Sequence, residues 1–148
     1  NLIVIEDSAD TLGAKINNKF SGYYSDISIT SFYGSHVINC AGNGGMLCTS
    51  NKKWTRDAKI LRSWGRNSSL FKDSEKVENR FNVKVNNISY DAKFIFSEIG
   101  YNFEPSEIGG SFGLIQLKKF RKFSKIRNQN FYLHKVFFSK FKIFLFNG

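Results

Sequence analysis

"DISITSFYGSHVINCAGNGGMLCTS" (Asp26–Ser50) is the stretch that decides the fold. "DISITSF" reads as a strand and "GMLCTS" as another; between them the chain turns through Gly34, presents His36 and becomes Gly-rich. Upstream, "LIVIE" (Leu2–Glu6) is a short continuous apolar run of the kind found in a strand covered on both faces. Downstream, Trp54, Ala58 and Leu61 recur at helical spacing and predict an amphipathic helix from Lys52 to Trp64. Residues 67–88 are polar and mixed and predict an irregular insertion with a short hairpin. Pro105 suits the opening of a helix from about Ser106, with Ile108, Phe112, Ile115 and Lys119 at near-helical steps. Gly109, Gly110 and Gly113 each cost that helix up to ~1 kcal/mol relative to Ala. Such glycines are kept where a second backbone or a ligand comes close. Apolar strands separated by helical pattern argue for an α/β layer fold with a largely parallel sheet. Ligands of such sheets gather at the carboxyl ends of strands, which points to "EDSAD" (Glu6–Asp10) and "YGSH" (Tyr33–His36).

The 148 residues suit one domain or part of one, and 41% hydrophobic with 23% charged residues describes a folded protein rather than a disordered one. The chain opens at Asn1 directly on a strand pattern, and its single methionine is Met46, as expected of an excerpt from a longer protein. Glu6 and Asp7 interrupt the apolar start, against a signal peptide, and no apolar run reaches the ~18 residues of a membrane span. Cys40 and Cys48 make neither a disulfide framework nor a Cys-x-x-Cys metal spacing, so a cytoplasmic protein without a metal site is expected. The net charge of +10 is uneven: residues 117–148 carry nine Lys or Arg and no Asp or Glu. With phenylalanines interleaved, this tail could be a nucleic-acid or membrane-surface helix. A helix with one apolar and one Lys-rich wet face accounts for the same pattern and is preferred, so neither a nucleic acid nor a membrane is expected as partner.

Four residues at the strand ends have chemical potential. Asp7 closes an apolar strand, where a carboxylate needs a partner; it can pair with a cationic ring nitrogen or a metal, or cap a helix. Asp10 can do either job as well. Ser31 offers a hydroxyl that can bind phosphate, and His36, five residues on around a glycine turn, an imidazole able to pass a proton near neutral pH. A lone histidine is more often structural, which is the reading for His134; His36 is set apart by its surroundings.

Taken in order, "VIEDSADTLGA", "SDISITSFYGSHVINCAGNGGMLCT", "LRSWGR" and "EIGYNFEPSEIGGSFGLIQLKKF" resemble the DegT/DnrJ/StrS family of pyridoxal-phosphate enzymes, which modify nucleotide-linked sugars. The resemblance runs from about Leu2 to about Phe138. It implies the large domain of fold-type-I pyridoxal-phosphate enzymes, an α/β/α sandwich with a mostly parallel sheet, working as a homodimer with a shared active site. Residues 1–117 would be part of the cofactor-binding domain, and 118–148 a basic helical segment leading toward a small C-terminal domain. By this likeness Asp7 matches the acid that pairs with the pyridine nitrogen, Asp10 a position beside the ring where aminotransferases often carry Gln, and Ser31 a hydroxyl that holds the cofactor phosphate. Asn102 matches an amide that reaches the phosphate of the neighbouring subunit.

His36 stands where aminotransferases of the family carry the lysine that tethers the cofactor. That exchange resembles the 3-dehydratase branch, which uses pyridoxamine phosphate on nucleotide-linked 4-keto-6-deoxyhexoses. The cofactor amine condenses with the C4 ketone, a base removes a proton from the cofactor's methylene carbon, and the C3 hydroxyl leaves. The product feeds 3,6-dideoxysugar and surface (lipo)polysaccharide biosynthesis, and His36 would be the base. Branch members with a [2Fe–2S] cluster hold it by four cysteines; Ala9 and "RNSSLFKDSEK" (Arg66–Lys76) stand at those places here, so no cluster is expected. Asn43 replaces a usual Glu. The remaining phosphate-loop contacts and a ring-stacking aromatic are expected in chain preceding Asn1, and the excerpt alone is expected to be inactive. Two further readings remain: a nucleotide-sugar aminotransferase, disfavoured because no Lys lies between Asp26 and Ser50, and an inactive fragment whose basic tail binds an acidic partner.

Overall fold

The computed structural model describes residues 2–141. Residues 142–148, the end of the expected basic segment, lie outside the described residues. Three strands form the central sheet: β1 (Ile5–Asp7), β4 (Ile27–Ser31) and β5 (Gly45–Thr49), in the order β1-β4-β5. β1 and β4 run parallel, with Asp7 opposite Ile29. β4 and β5 run antiparallel, with Ser31 opposite Gly45. β4 and β5 stand where the apolar runs put them, whereas β1 begins only at Ile5 and shares Ile5 and Glu6 with the "LIVIE" run. One of the two pairings is antiparallel because the loop of residues 32–44 folds back beside its own strand: Phe32 N–H donates to Gly44 O at 2.8 Å, and Cys40 N–H to Phe32 O at 2.9 Å.

Between β1 and β4 lies a hairpin that the sequence analysis does not contain, β2 (Lys15–Ile16) with β3 (Lys19–Phe20). Its two-residue turn, Asn17–Asn18, has φ of 49° and 62°, the left-handed pair that a two-residue hairpin of matching twist requires and that Asn tolerates. The expected hairpin in the insertion is β6 (Val83–Val85) with β7 (Ile88–Tyr90), closed in the same way by Asn86–Asn87. A 3₁₀ turn (Asn67–Leu70) and the short α2 (Val77–Phe81) precede it.

α1 (Lys52–Arg62) begins at Asn51, whose Oδ1 accepts from Lys53 N and Trp54 N. Its buried residue is Ile60, whereas Leu61, expected on the apolar stripe, is exposed. α3 (Glu107–Phe138) begins at Ser106, one residue after Pro105, with Ser106 Oγ accepting from Gly109 N at 3.3 Å. It continues unbroken through residues 117 and 118. Two of its three glycines sit at close approaches: Gly109 and Gly113 are buried and rest on Cys40, whereas a Cβ on the exposed Gly110 would meet nothing within 4 Å.

The apolar interior is small. Ile38, Ile60 and Ala92 are the buried hydrophobic residues among those described, while Leu2, Ile3, Val4 and Ile5 are exposed. The expectation of a "LIVIE" strand covered on both faces is not met within this chain. So few buried apolar side chains do not close a core, and the sheet needs further surface against it to be stable. No helix among the described residues is long and apolar enough to cross a membrane.

Candidate active site

The carboxyl ends of the parallel pair β1 and β4 bring four of the five expected site residues to one edge of the sheet. Asp7 is the last residue of β1 and Ser31 the last of β4. Asp10 lies in the turn after β1, and His36 in the loop after β4. The turn after β1 is tied to β4 by backbone: the buried Ser8 donates its N–H to Ile29 O at 2.9 Å. Glu6 steadies the same turn from below, its two carboxylate oxygens accepting from Gly22 N at 2.9 and 2.8 Å and one of them from Ser8 Oγ.

Asp7 is exposed, and its Oδ1 accepts from Ala9 N at 3.1 Å. No helix follows it, so the helix-capping alternative gives way to a local Asp turn. No ion pair forms at Asp7 among the described residues, which leaves a carboxylate at a strand end with capacity for a cation. Ser31 Oγ accepts from Tyr33 N at 3.2 Å and keeps its own proton for a further acceptor.

His36 is the enclosed member. Its side chain is 16% exposed, and Nδ1 lies 2.6 Å from Oδ1 of Asp10, whose own side chain is 84% exposed. That oxygen is out of line with the ring N–H, so the contact is an ion-pair approach and not an aligned hydrogen bond; Nδ1 is buried without another polar partner among the described residues. Tyr33 stands edge-on to the imidazole with centroids 6.3 Å apart, and His36 N–H donates to Tyr33 O at 3.1 Å, which fixes the ring's position on the turn.

Asn102 is placed elsewhere. It forms an antiparallel bridge with Ser63 just after α1, and no hydrogen bond or ion pair joins it to the other four residues among those described. The two segments around it are zipped by Tyr101 N to Leu61 O (2.7 Å), Trp64 N to Tyr101 O (2.8 Å) and Phe103 N to Arg62 O (2.9 Å). The motifs "LRSWGR" and "EIGYN" are thus one structural unit.

That unit also holds Arg66, the last residue of "LRSWGR". The Arg66 guanidinium stacks over Trp64 at 4.4 Å and Phe96 at 5.4 Å, and its Nε is buried without a hydrogen-bond partner among the described residues. The signal was an arginine two residues after Trp64 in a turn, but its enclosure depends on Phe96, thirty residues on.

The donor set fits pyridoxal or pyridoxamine phosphate: a free carboxylate for a ring nitrogen (Asp7), a strand-end hydroxyl for phosphate (Ser31), and an enclosed imidazole five residues after that hydroxyl (His36). It holds no lysine, since none occurs from Asp26 to Ser50.

The chain is similar to several known proteins. The dTDP-4-dehydro-2,6-dideoxy-D-glucose 3-dehydratase of Saccharopolyspora spinosa is 30% identical over 132 residues, covering 87% of this chain and 28% of that protein. The GDP-4-keto-6-deoxy-D-mannose 3-dehydratase of Escherichia coli O55:H7 is 29% identical over 143 residues, covering 96% of this chain and 34% of its own length. A solved structure of E. coli GDP-4-keto-6-deoxy-D-mannose-3-dehydratase with bound hydrated PLP matches with a TM-score of 0.78 at 27% identity, over 95% of this chain and 34% of that one. This chain therefore spans about a third of the length of these proteins. The likeness bears out the expected fold class, part of the large domain of fold-type-I pyridoxal-phosphate enzymes. The sequence pattern of the DegT/DnrJ/EryC1/StrS aminotransferase family matches residues 1–145, and the chain belongs to that family.

Proposed function

We propose that this chain is part of a pyridoxamine-phosphate-dependent dehydratase that removes the C3 hydroxyl of a nucleotide-linked 4-keto-6-deoxyhexose. The observation that carries this reading is His36: a part-buried imidazole in the loop after β4, where an aminotransferase needs an amine. Its support from relatives is that proteins named as sugar 3-dehydratases cover nearly all of the chain.

In this reading Asp7 holds the pyridine nitrogen in its protonated form, Ser31 donates to the cofactor phosphate, and Asn102 serves the phosphate of a second subunit in a homodimer. Asp10 lies beside the ring. When bound, the cofactor supplies an amine for the ketone and a ring able to accept electron pairs. The imidazole of His36 takes a proton as base, then returns it as acid to the departing hydroxide, so that water leaves. Its enclosure keeps bulk water from that proton. Residues 1–117 belong to the cofactor domain in this account, and 118–148 lead toward a small domain.

The test uses the full-length protein with pyridoxamine phosphate and a nucleotide-linked 4-keto-6-deoxyhexose. Mass spectrometry of the sugar should show loss of the C3 oxygen, and His36→Asn should abolish that loss. Transfer of nitrogen to the sugar with C3 oxygen retained would establish the aminotransferase reading instead.

A further inference from the structure

Asp10 is expected beside the cofactor ring, yet the group it faces is His36. Nδ1 of the imidazole is buried and lies 2.6 Å from Oδ1 of Asp10, with no other polar partner among the described residues. Tyr33 closes the edge of the same ring. Access on the Nδ1 side is therefore taken, and Nε2 is the nitrogen left for exchange with a substrate.

We propose that Asp10 is a positioning residue for His36: its carboxylate holds the proton of the neutral imidazole on Nδ1 and so leaves the lone pair of Nε2 free to act as the base. The role assigned to the base rests on the dehydratase reading; the pairing of the two side chains does not. Three physical points support it. A neutral imidazole carries one proton, and the hydrogen bond made by one nitrogen determines which nitrogen carries it. A carboxylate is an acceptor without a proton to give, so it selects the tautomer protonated on the side it faces. The Asp10 side chain is 84% exposed and therefore free to turn into line with the ring N–H, whereas the 16%-exposed imidazole is not free to turn away. With the imidazole neutral and the Asp10 side chain 84% exposed, the contact contributes little to stability, so its effect is to be sought in the proton's position and not in the melting temperature.

The experiment takes the full-length holoprotein with ¹⁵N-labelled histidine, His36 being identified by the signal lost in His36→Asn. At a pH where the ring is neutral, the ¹⁵N shifts and two-bond couplings should report a proton on Nδ1 in the parent protein. In Asp10→Ala they should report a shift toward the Nε2-protonated tautomer. In the same variant kcat for dehydration should fall by at least about tenfold, the scale of a misdirected general base, with the sugar KM within about twofold. Cofactor occupancy, read from its absorbance, should be unchanged. An unaltered tautomer in Asp10→Ala, or an unaltered tautomer with lost cofactor, would overturn the proposal and leave Asp10 a cofactor contact. A tautomer shift in a protein that performs no dehydration would uphold the pairing and sink the dehydratase reading alone.

Discussion

Gly113 and Cys40 are in contact so close that a Cβ on Gly113 would lie 2.5 Å from the cysteine Sγ. Cys40 is packed against a second glycine as well: a Cβ on Gly44 would lie 2.9 Å from the cysteine Cβ and 3.4 Å from its Sγ. This contact seats α3 against the loop that presents His36. Gly113→Ala should destabilise the full-length protein by about 1–3 kcal/mol through overpacking. In a Cys40→Ala background the same change should be neutral or stabilising, because the helix then gains the propensity of alanine, up to about 1 kcal/mol. Denaturant melts of the four proteins in the double-mutant cycle check this; equal effects of Gly113→Ala in both backgrounds would show that the contact carries no energy.

Gly65 meets a harder obstacle. Its φ is +85°, and a Cβ there would fall 1.8 Å from the carbonyl oxygen of Glu98. The turn after α1 can therefore lie against the 97–102 segment only with glycine at this position, and Gly65 O also accepts from Ser97 N at 2.9 Å. Gly65→Ala should cost on the order of 3 kcal/mol or more and release Asn102 from its bridge with Ser63. Hydrogen exchange at Tyr101 and Phe103 amides should accelerate while that of β4 does not.

The insertion is held by polar contacts. Arg80 Nε donates to Asp91 Oδ1 at 3.1 Å and Nη2 to Oδ2, a two-pronged fork, while Asp91 Oδ1 also accepts from Lys93 N and Lys93 pairs with Glu75. The Arg80 hydrogen bond holds the Asp91 carboxyl below its ordinary value against the opposing effect of burial, and the same bond raises Arg80. A carboxylate whose folded pKa is depressed stabilises the fold fully above its unfolded value, about 3.9, and loses that contribution as pH falls through the folded one. The β6–β7 hairpin should therefore keep its protection at neutral and mildly acidic pH and loosen below about pH 4. Asp91→Asn should weaken protection at pH 7 and flatten this acid dependence, measured as amide exchange of Lys84 and Ser89.

The elements legible in the sequence were those fixed by local pattern. β4 and β5 followed from apolar runs on either side of the Gly-rich loop, α1 from its helical spacing, and the start of α3 from Pro105 with Ser106 as cap. The β2–β3 hairpin is hard to read although its Asn17–Asn18 signal is the same as that of Asn86–Asn87, because the flanking strands are two residues each and make no visible run. The antiparallel course of β5 was not legible, since a loop of this length can return the chain in either direction. At the site, chain order placed Asp7, Asp10, Ser31 and His36 at neighbouring strand ends. It did not show that Asp10 faces the imidazole, nor that Arg66 is enclosed by Phe96, because both depend on contacts between distant segments.

Replacing His36 by lysine restores the amine the site lacks. With pyridoxal phosphate, His36→Lys in the full-length protein should give a new absorbance band from cofactor bound to the chain, and dehydration should fall by on the order of 100-fold or more with loss of the base. Retained dehydration would show that another group takes the proton.

The most direct measurement is borohydride reduction of the full-length protein loaded with pyridoxal phosphate, followed by peptide mass mapping of residues 26–50. The account predicts no cofactor mass on that peptide, since its imidazole cannot form a reducible bond with the aldehyde, and free reduced cofactor in the filtrate. Cofactor fixed covalently to this stretch, or to a lysine that inactivates the enzyme when replaced, would contradict it.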